Sequence, residues 1–416
     1  MGISQLLADR QQSQRVNVFR LAICSLFAIL FAWQIAPRQI SKAAVEKSDP
    51  AEALRIAPHS GQAQAAMAAS DLNAGRLSSA IHFATSALRA SPLSLIALRS
   101  LIFASQLSGN KVKAAQLTRS AEPTGWRDEP MQIAIFANDL QSGQMSDAAD
   151  RLDAVARTTE DPSLIYPLID SWLRNPDFRR EIFRRLSLDP SWRRNYLTRI
   201  SDLDPAAVAA RQQIAVALPR HSQDQRRTEL APYASWLFNQ GYFADAYRFW
   251  RDHLAERSLL GQGPIFDSNF RSVGSTQART PFDWTLRALT GASATPEQDG
   301  GTPGLSVDTD GTVDGDLIEQ KLLLHPGTYR FAIDMNPASP PPQDAFQWRI
   351  LCGPQRSALP REGPATSANA QHGGGVVAFS FTVPDNKCPY QALVLTLSRT
   401  TIPEDTSVSF HDPKIQ

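Results

Sequence analysis

The chain has 416 residues, more than one hydrophobic core usually organises, so two or three domains are expected. Apolar residues make up 42% and charged residues 20%, which excludes a largely disordered chain. With 42 basic and 41 acidic residues the net charge is +1, and no basic run occurs, so nucleic acid is not an expected partner.

The first element is an apolar run over residues 21–36 (LAICSLFAILFAWQIA), preceded by Arg10, Arg15 and Arg20 and ended by Pro37-Arg38. At ~1.5 Å per residue it spans about 24 Å, against about 30 Å of bilayer hydrocarbon. Val16, Val18 and Phe19 extend it if Arg20 snorkels, and Trp33 suits an interfacial belt. A cleaved signal peptide is the rival reading. A cut after Ala36 would leave Pro37 next, however, and a cut after Ala44 would put Lys42 three residues before the cut. The expectation is a single-pass transmembrane anchor over 21–37, with a cytoplasmic segment 1–20 and a linker 38–50. Basic residues flank both ends, so orientation rests on the cysteines. Cys24 lies in the apolar run, while Cys352 and Cys388 sit in or beside predicted strands. Outside the cytosol such a pair reads as one disulfide, its partners 388 − 352 = 36 residues apart. The bulk of the chain is therefore placed in the periplasm.

Residues 51–160 repeat themselves. The glycines of DLNAG, SQLSG and DLQSG, at 75, 109 and 143, step by 34, and Ala80, Ala114 and Ala148 follow each of them five residues later. Met67, Leu101 and Ile135 keep the same register, as do Ala68, Ile102 and Phe136. Glycine permits a tight turn between two helices, and a small residue beyond it lets the second helix approach the first. Ala80, Ala84 and Ala87 share a helix face, and Pro92 stops that helix. A 34-residue unit of two antiparallel helices, with this small-small-Pro spacing, resembles the tetratricopeptide repeat, although Gln64 and Asp71 stand where that repeat carries large residues. Such arrays bind protein segments, so a protein partner is the expectation here.

Residues 161–260 stay helical. Asp161-Pro162, Asn175-Pro176, Asp189-Pro190 and Asp204-Pro205 each have the form of a helix start. Gly241 and Ala246 restore the five-residue step beside Tyr242, Phe243, Tyr247, Phe249 and Trp250. That aromatic patch reads either as a docking surface or as packing of the last repeat against a neighbouring domain.

After Gly261-Gln262-Gly263-Pro264 the pattern turns to β. Strands are expected over 282–289, 305–308, 317–324, 328–335, 346–352, 376–383, 393–398 and 407–410, with Tyr329, Phe331, Ile333 and Met335 on one face. The expected fold of 264–416 is an antiparallel all-β sandwich or jelly roll. Phe266-Asp267-Ser268-Asn269-Phe270, followed by Pro281-Phe282-Asp283-Trp284, resembles the opening of carbohydrate-binding-module jelly rolls, and the run from Gln320 to Tyr329 is similar to their Pro-Gly-Tyr hairpin. That resemblance implies Trp284 and Trp348 as glycan-stacking candidates, against a core role for each. Asn269-Phe270-Arg271 lacks the usual acidic residue, which weakens the case for an associated ion site.

Chemistry is sparse. Asp308, Asp310, Asp314, Asp316 and Glu319 have the alternating oxygens of a calcium loop, but Val313 stands where the turn needs glycine. The bland alternative is a solvated acidic loop between two strands. The seven histidines have no ligand spacing, and no nucleophile elbow, phosphate loop or dinucleotide fingerprint occurs. Asp283 is the one nameable acid for a paired-carboxylate mechanism. No catalytic residue and no cofactor is assigned, and the chain is not expected to be an enzyme. Arginine-rich, alanine-rich composition points to a GC-rich bacterial source, and the order anchor, repeats, sandwich is similar to repeat proteins of alphaproteobacterial envelope and exopolysaccharide systems. The resulting expectation is a non-catalytic scaffold in the bacterial inner membrane, gripping a protein partner with its repeats. A carbohydrate-binding-module protein taking a polysaccharide is the alternative, and a polysaccharide-modifying enzyme a third.

Overall fold

The computed structural model describes residues 42, 45, 49–122, 128–260, 263–297, 302–338, 345–362, 367–368, 375–385, 387–399 and 405–416. The anchor expected over 21–37 lies outside these. Among the described residues no helix is long and apolar enough to cross a membrane. Among the described residues thirteen α-helices precede two antiparallel sheets, and the chain divides into two compact units, Met1–Arg185 and Leu186–Gln416.

The first unit is an array of helical hairpins. After α1 (Pro50–Ile56) come α2 (Gly61–Asn73) with α3 (Leu77–Ala90), α4 (Leu95–Leu107) with α5 (Lys111–Ala121), and α6 (Glu129–Gln141) with α7 (Met145–Thr158). The three turns are copies. Gly75, Gly109 and Gly143 take φ of 72°, 83° and 75°, a conformation that costs glycine nothing. Behind each, the N–H of Arg76, Asn110 or Gln144 donates to the carbonyl of Asp71, Ser105 or Asp139, at 2.8, 2.9 and 2.8 Å. Ala80, Ala84, Ala87, Ala114 and Ala148 are buried where paired helices meet, and α2 touches α4 as α4 touches α6. Ser94 and Asp128 cap α4 and α6. The unit ends with a 3₁₀ turn (Pro162–Ile165), α8 (Tyr166–Trp172) and most of α9 (Pro176–Leu186).

Three of the four expected proline starts cap as read: Asp161, Asn175 and Asp204 accept from backbone N–H groups of the turn they open. Asp189-Pro190 does not. Asp189 has φ 53° and its carboxylate accepts from the Gln225 side chain at 3.2 Å, so α10 (Arg193–Thr198) begins later.

The second unit holds α10, α11 (Pro205–Ala217) and a fourth glycine-turned hairpin, α12 (Gln223–Asn239) with α13 (Phe243–His253), where Gly241 has φ 84° and Tyr242 N–H donates to Leu237 at 2.9 Å. These precede the sandwich. Its five-stranded sheet runs β1 (Thr285–Leu286), β4 (Gly315–Leu322), β11 (Gln391–Leu397), β6 (Phe346–Cys352), β7 (Ser357–Ala358). The other runs β2 (Ala292–Glu297), β3 (Gly304–Thr309), β12 (Thr406–Ile415), β5 (Gly327–Pro337), β10 (Gly375–Val383), β8 (Arg361–Glu362), with β9 (Ser367–Ala368) also on β10. Side chains of both sheets make one core, in which Trp348 of one sheet lies 5.7 Å from Phe331 and 5.6 Å from Phe410 of the other.

The aromatic patch of the last hairpin packs against the β part. Phe238, Phe243, Tyr247 and Trp250 meet Phe266, Phe282 and Tyr390 at centroid distances between 4.8 and 5.7 Å, while Tyr242 stays half exposed. Arg227 of α12 adds an ion pair to Asp283 at 2.6 Å.

Candidate functional site

On the hairpin array, Ile96, Phe103 and Leu107 stand at i, i+7 and i+11 of α4, so they form one line along the helix. Ile96 is 41% and Leu107 67% exposed, while Phe103 rests against the buried cluster of Ile102, Met131 and Ile135. The line is anchored in the middle and open at both ends. Arg99 flanks it and holds both oxygens of Asp128, the α6 cap, at 2.9 Å, which fixes α4 against the next hairpin. Sequence reading did not isolate this line, although its spacing was there to be found.

On the sandwich, cross-strand register sets three rows on the outer face of the five-stranded sheet: Lys321, Ala392 and Leu351; Glu319, Val394 and Arg349; Asp316, Thr396 and Gln347. Glu319 takes Arg356 at 2.7 Å, Lys321 at 3.2 Å and Arg287 at 3.3 Å. Arg356 also reaches Asp316 at 2.7 Å, whose other oxygen accepts the Thr396 hydroxyl at 2.9 Å. Burial by itself would raise the Glu319 pKa, but the hydrogen bond and charge of Arg356, with Lys321, hold it below the usual carboxylate value. Burial lowers the Lys321 pKa in spite of Glu319. Four bases (Arg287, Lys321, Arg349, Arg356) against two acids leave an excess of two positive charges among these six groups. Both carboxylates are engaged by cations.

The residues singled out in the sequence fall elsewhere. Trp284 and Trp348 are each 1% exposed, so the glycan-stacking role is corrected: neither indole offers a face to solvent. Trp284 Nε1–H donates to the Asp267 carbonyl at 3.0 Å and its ring packs on Phe270, which makes the FDSNF motif a latch on the core. The calcium loop is corrected too. Val313 turns into the core, Asp310 accepts from its own Thr312, Asp308 and Asp314 are exposed, and Asp316 and Glu319 go to Arg356. Among the described residues no group of three or more His, Cys, Asp or Glu side chains is placed to hold a metal ion. Asp283 Oδ2 accepts from Arg227, Thr280 N–H and the Thr280 hydroxyl, which ties a loop to a helix. Cys352 and Cys388 form a disulfide, with Cα atoms 5.1 Å apart.

No protein-family model matches the chain, and no curated protein does. Among solved structures, one titled "CBM4 structure and function" is similar at 17% identity and a TM-score of 0.28, over 36% of this chain and 98% of that one.

Proposed function

We propose that the chain is a non-catalytic adaptor that seats a protein segment along α4 of its hairpin array. The observation that carries this reading is the line Ile96–Phe103–Leu107, exposed at both ends on a helix that Arg99 ties to Asp128 of the next hairpin. A partner helix or extended segment with apolar residues at matching intervals gains hydrophobic burial there. The formed disulfide supports an oxidising compartment. With the anchor expected over 21–37, the proposed setting is the periplasmic side of a bacterial inner membrane. The test begins with peptides selected from a displayed random library on the full chain. The tightest peptide is then titrated against Ile96→Glu/Leu107→Glu. The expected result is at least tenfold weaker binding with unchanged circular dichroism. Equal affinity for both proteins overturns the reading.

A second reading, an acidic polysaccharide on the sheet face, is favoured by the two excess positive charges there. Titration with a polyuronate should give salt-sensitive binding that Arg349→Ala/Arg356→Ala weakens severalfold; no heat of binding at low salt rejects it.

A further inference from the structure

A cleft of about 830 Å³ opens at one end of the sandwich in the second unit. Three walls line it: Leu323–Pro326 between β4 and β5, the turn after Cys352, and Pro384, Asp385, Lys387, Cys388 and Pro389 ahead of β11. Ala244 of α13 stands at its side.

The walls are fixed to one another. The Cys352–Cys388 disulfide joins the second wall to the third. Gly353 N–H donates to the Tyr390 carbonyl at 2.9 Å, which joins them again. Gln391 is fully buried and joins the first wall to the third: its Oε1 accepts Leu324 N–H at 2.8 Å and its Nε2 donates to the Cys388 carbonyl at 3.2 Å. The Tyr329 hydroxyl steadies the first wall by donating to the His325 carbonyl at 2.9 Å. A cleft held open by a covalent bond and a buried amide is already in its binding shape, so a ligand meets little ordering cost.

The lining selects the ligand. Pro326, Pro354, Pro384 and Pro389, with Leu323, Leu324 and the disulfide residues Cys352 and Cys388, form apolar walls, and no phenylalanine, tyrosine or tryptophan is among the described lining residues. Proline rings pair well with aromatic faces, as in the grooves that recognise proline-rich segments, and here the proline half of that pair belongs to the protein. Sulfur also packs favourably on aromatic rings. At the rim, His325, Gln355, Asp385 and Lys387 supply a few polar groups, the pattern of a small-molecule site in the 300–1,000 Å³ range. We infer that this cleft is a preformed binding site for a ligand bearing an aromatic ring and a hydrogen-bonding substituent, and that its shape depends on the disulfide. This goes beyond the adaptor reading and does not rest on it.

The test uses the oxidised full chain and saturation-transfer NMR with three probes: phenol, N-acetyl-phenylalaninamide and N-acetyl-cyclohexylalaninamide. The aromatic probes should bind, and the cyclohexyl analogue at least threefold more weakly than its phenyl counterpart. Phenol alone binding marks a free aromatic compound as the ligand class; the phenylalanine amide binding more tightly marks an aromatic side chain of a peptide. Ala244→Trp fills the cleft from an exposed helix position and should reduce binding at least tenfold. Reduction of the disulfide should do the same while the helical signal persists. Binding unchanged in Ala244→Trp, equal binding of the cyclohexyl analogue, or no binding of either aromatic probe overturns the proposal.

Discussion

Asp71 and Asp139 occupy the same place in the first and third hairpins, yet their surroundings differ. The Asp71 carboxylate accepts from Arg76 at 2.6 Å and from the Ser79 hydroxyl at 2.5 Å. Asp139 is 2% exposed with Arg151 at 3.9 Å. Burial pushes its pKa up from the usual 3.8 to about 6, against the pull of Arg151 and with Glu122 and Asp147 adding repulsion. The sign follows from linkage. Between about pH 4 and pH 6 the folded chain keeps a proton that the unfolded chain has released, so this group's contribution to stability falls as pH rises through that window. A shift of about two units corresponds to roughly 3 kcal/mol at most. Asp139→Asn should therefore be more stable than the parent at pH 7, with the difference shrinking toward pH 4. Urea unfolding at half-unit pH steps measures it, and a difference that stays constant across the series would contradict the assignment.

At the level of elements, legibility followed the range of the forces involved. The hairpin turns were readable because their cause is local: a glycine at positive φ and a small residue five positions on need no distant partner. The fourth hairpin at Gly241 was readable for the same reason. Strand β2 was not read at all. It carries Pro296 and small residues, and such a sequence is tolerated because β2 is an edge strand, which nothing local reveals. Strand β1 came out shorter than read, two residues instead of 282–289: Phe282 is drawn into the ring cluster and Asp283 is held by Arg227, both contacts with helices far back in the chain. The charged face was the hardest to see. Read along the chain, its acids looked like a metal loop. Cross-strand pairing instead sets Glu319 beside Val394 and Arg349, and the turn after β6 supplies Arg356. Linear spacing contains no register, so a site assembled across strands stays hidden until the strands are paired.

At the scale of the molecule, the change from helix to strand near residue 260 does not mark the boundary between compact units. The last hairpin belongs to the same unit as the sandwich, and the ring cluster shows why. Trp250 is 1% exposed and touches Phe266 at 5.0 Å and Phe282 at 5.3 Å, so α13 buries its largest side chain against the segment that leads into β1. Phe238 and Phe243 close on Tyr390 at the entry to β11, the central strand of the five-stranded sheet. If these contacts make hairpin and sandwich one cooperative body, loss of the indole should be felt in both. Trp250→Ala is expected to cost about 3–5 kcal/mol, the range for removing a large buried aromatic. Native-state hydrogen exchange reads where that cost falls. Amides of α12, α13, β4 and β11 should lose protection together, by about two to three and a half orders of magnitude at roughly tenfold per 1.4 kcal/mol. Loss confined to α13, with β11 amides unchanged, would mean that the rings fill space without coupling the two parts, and α13 would then be a separate element leaning on the sandwich.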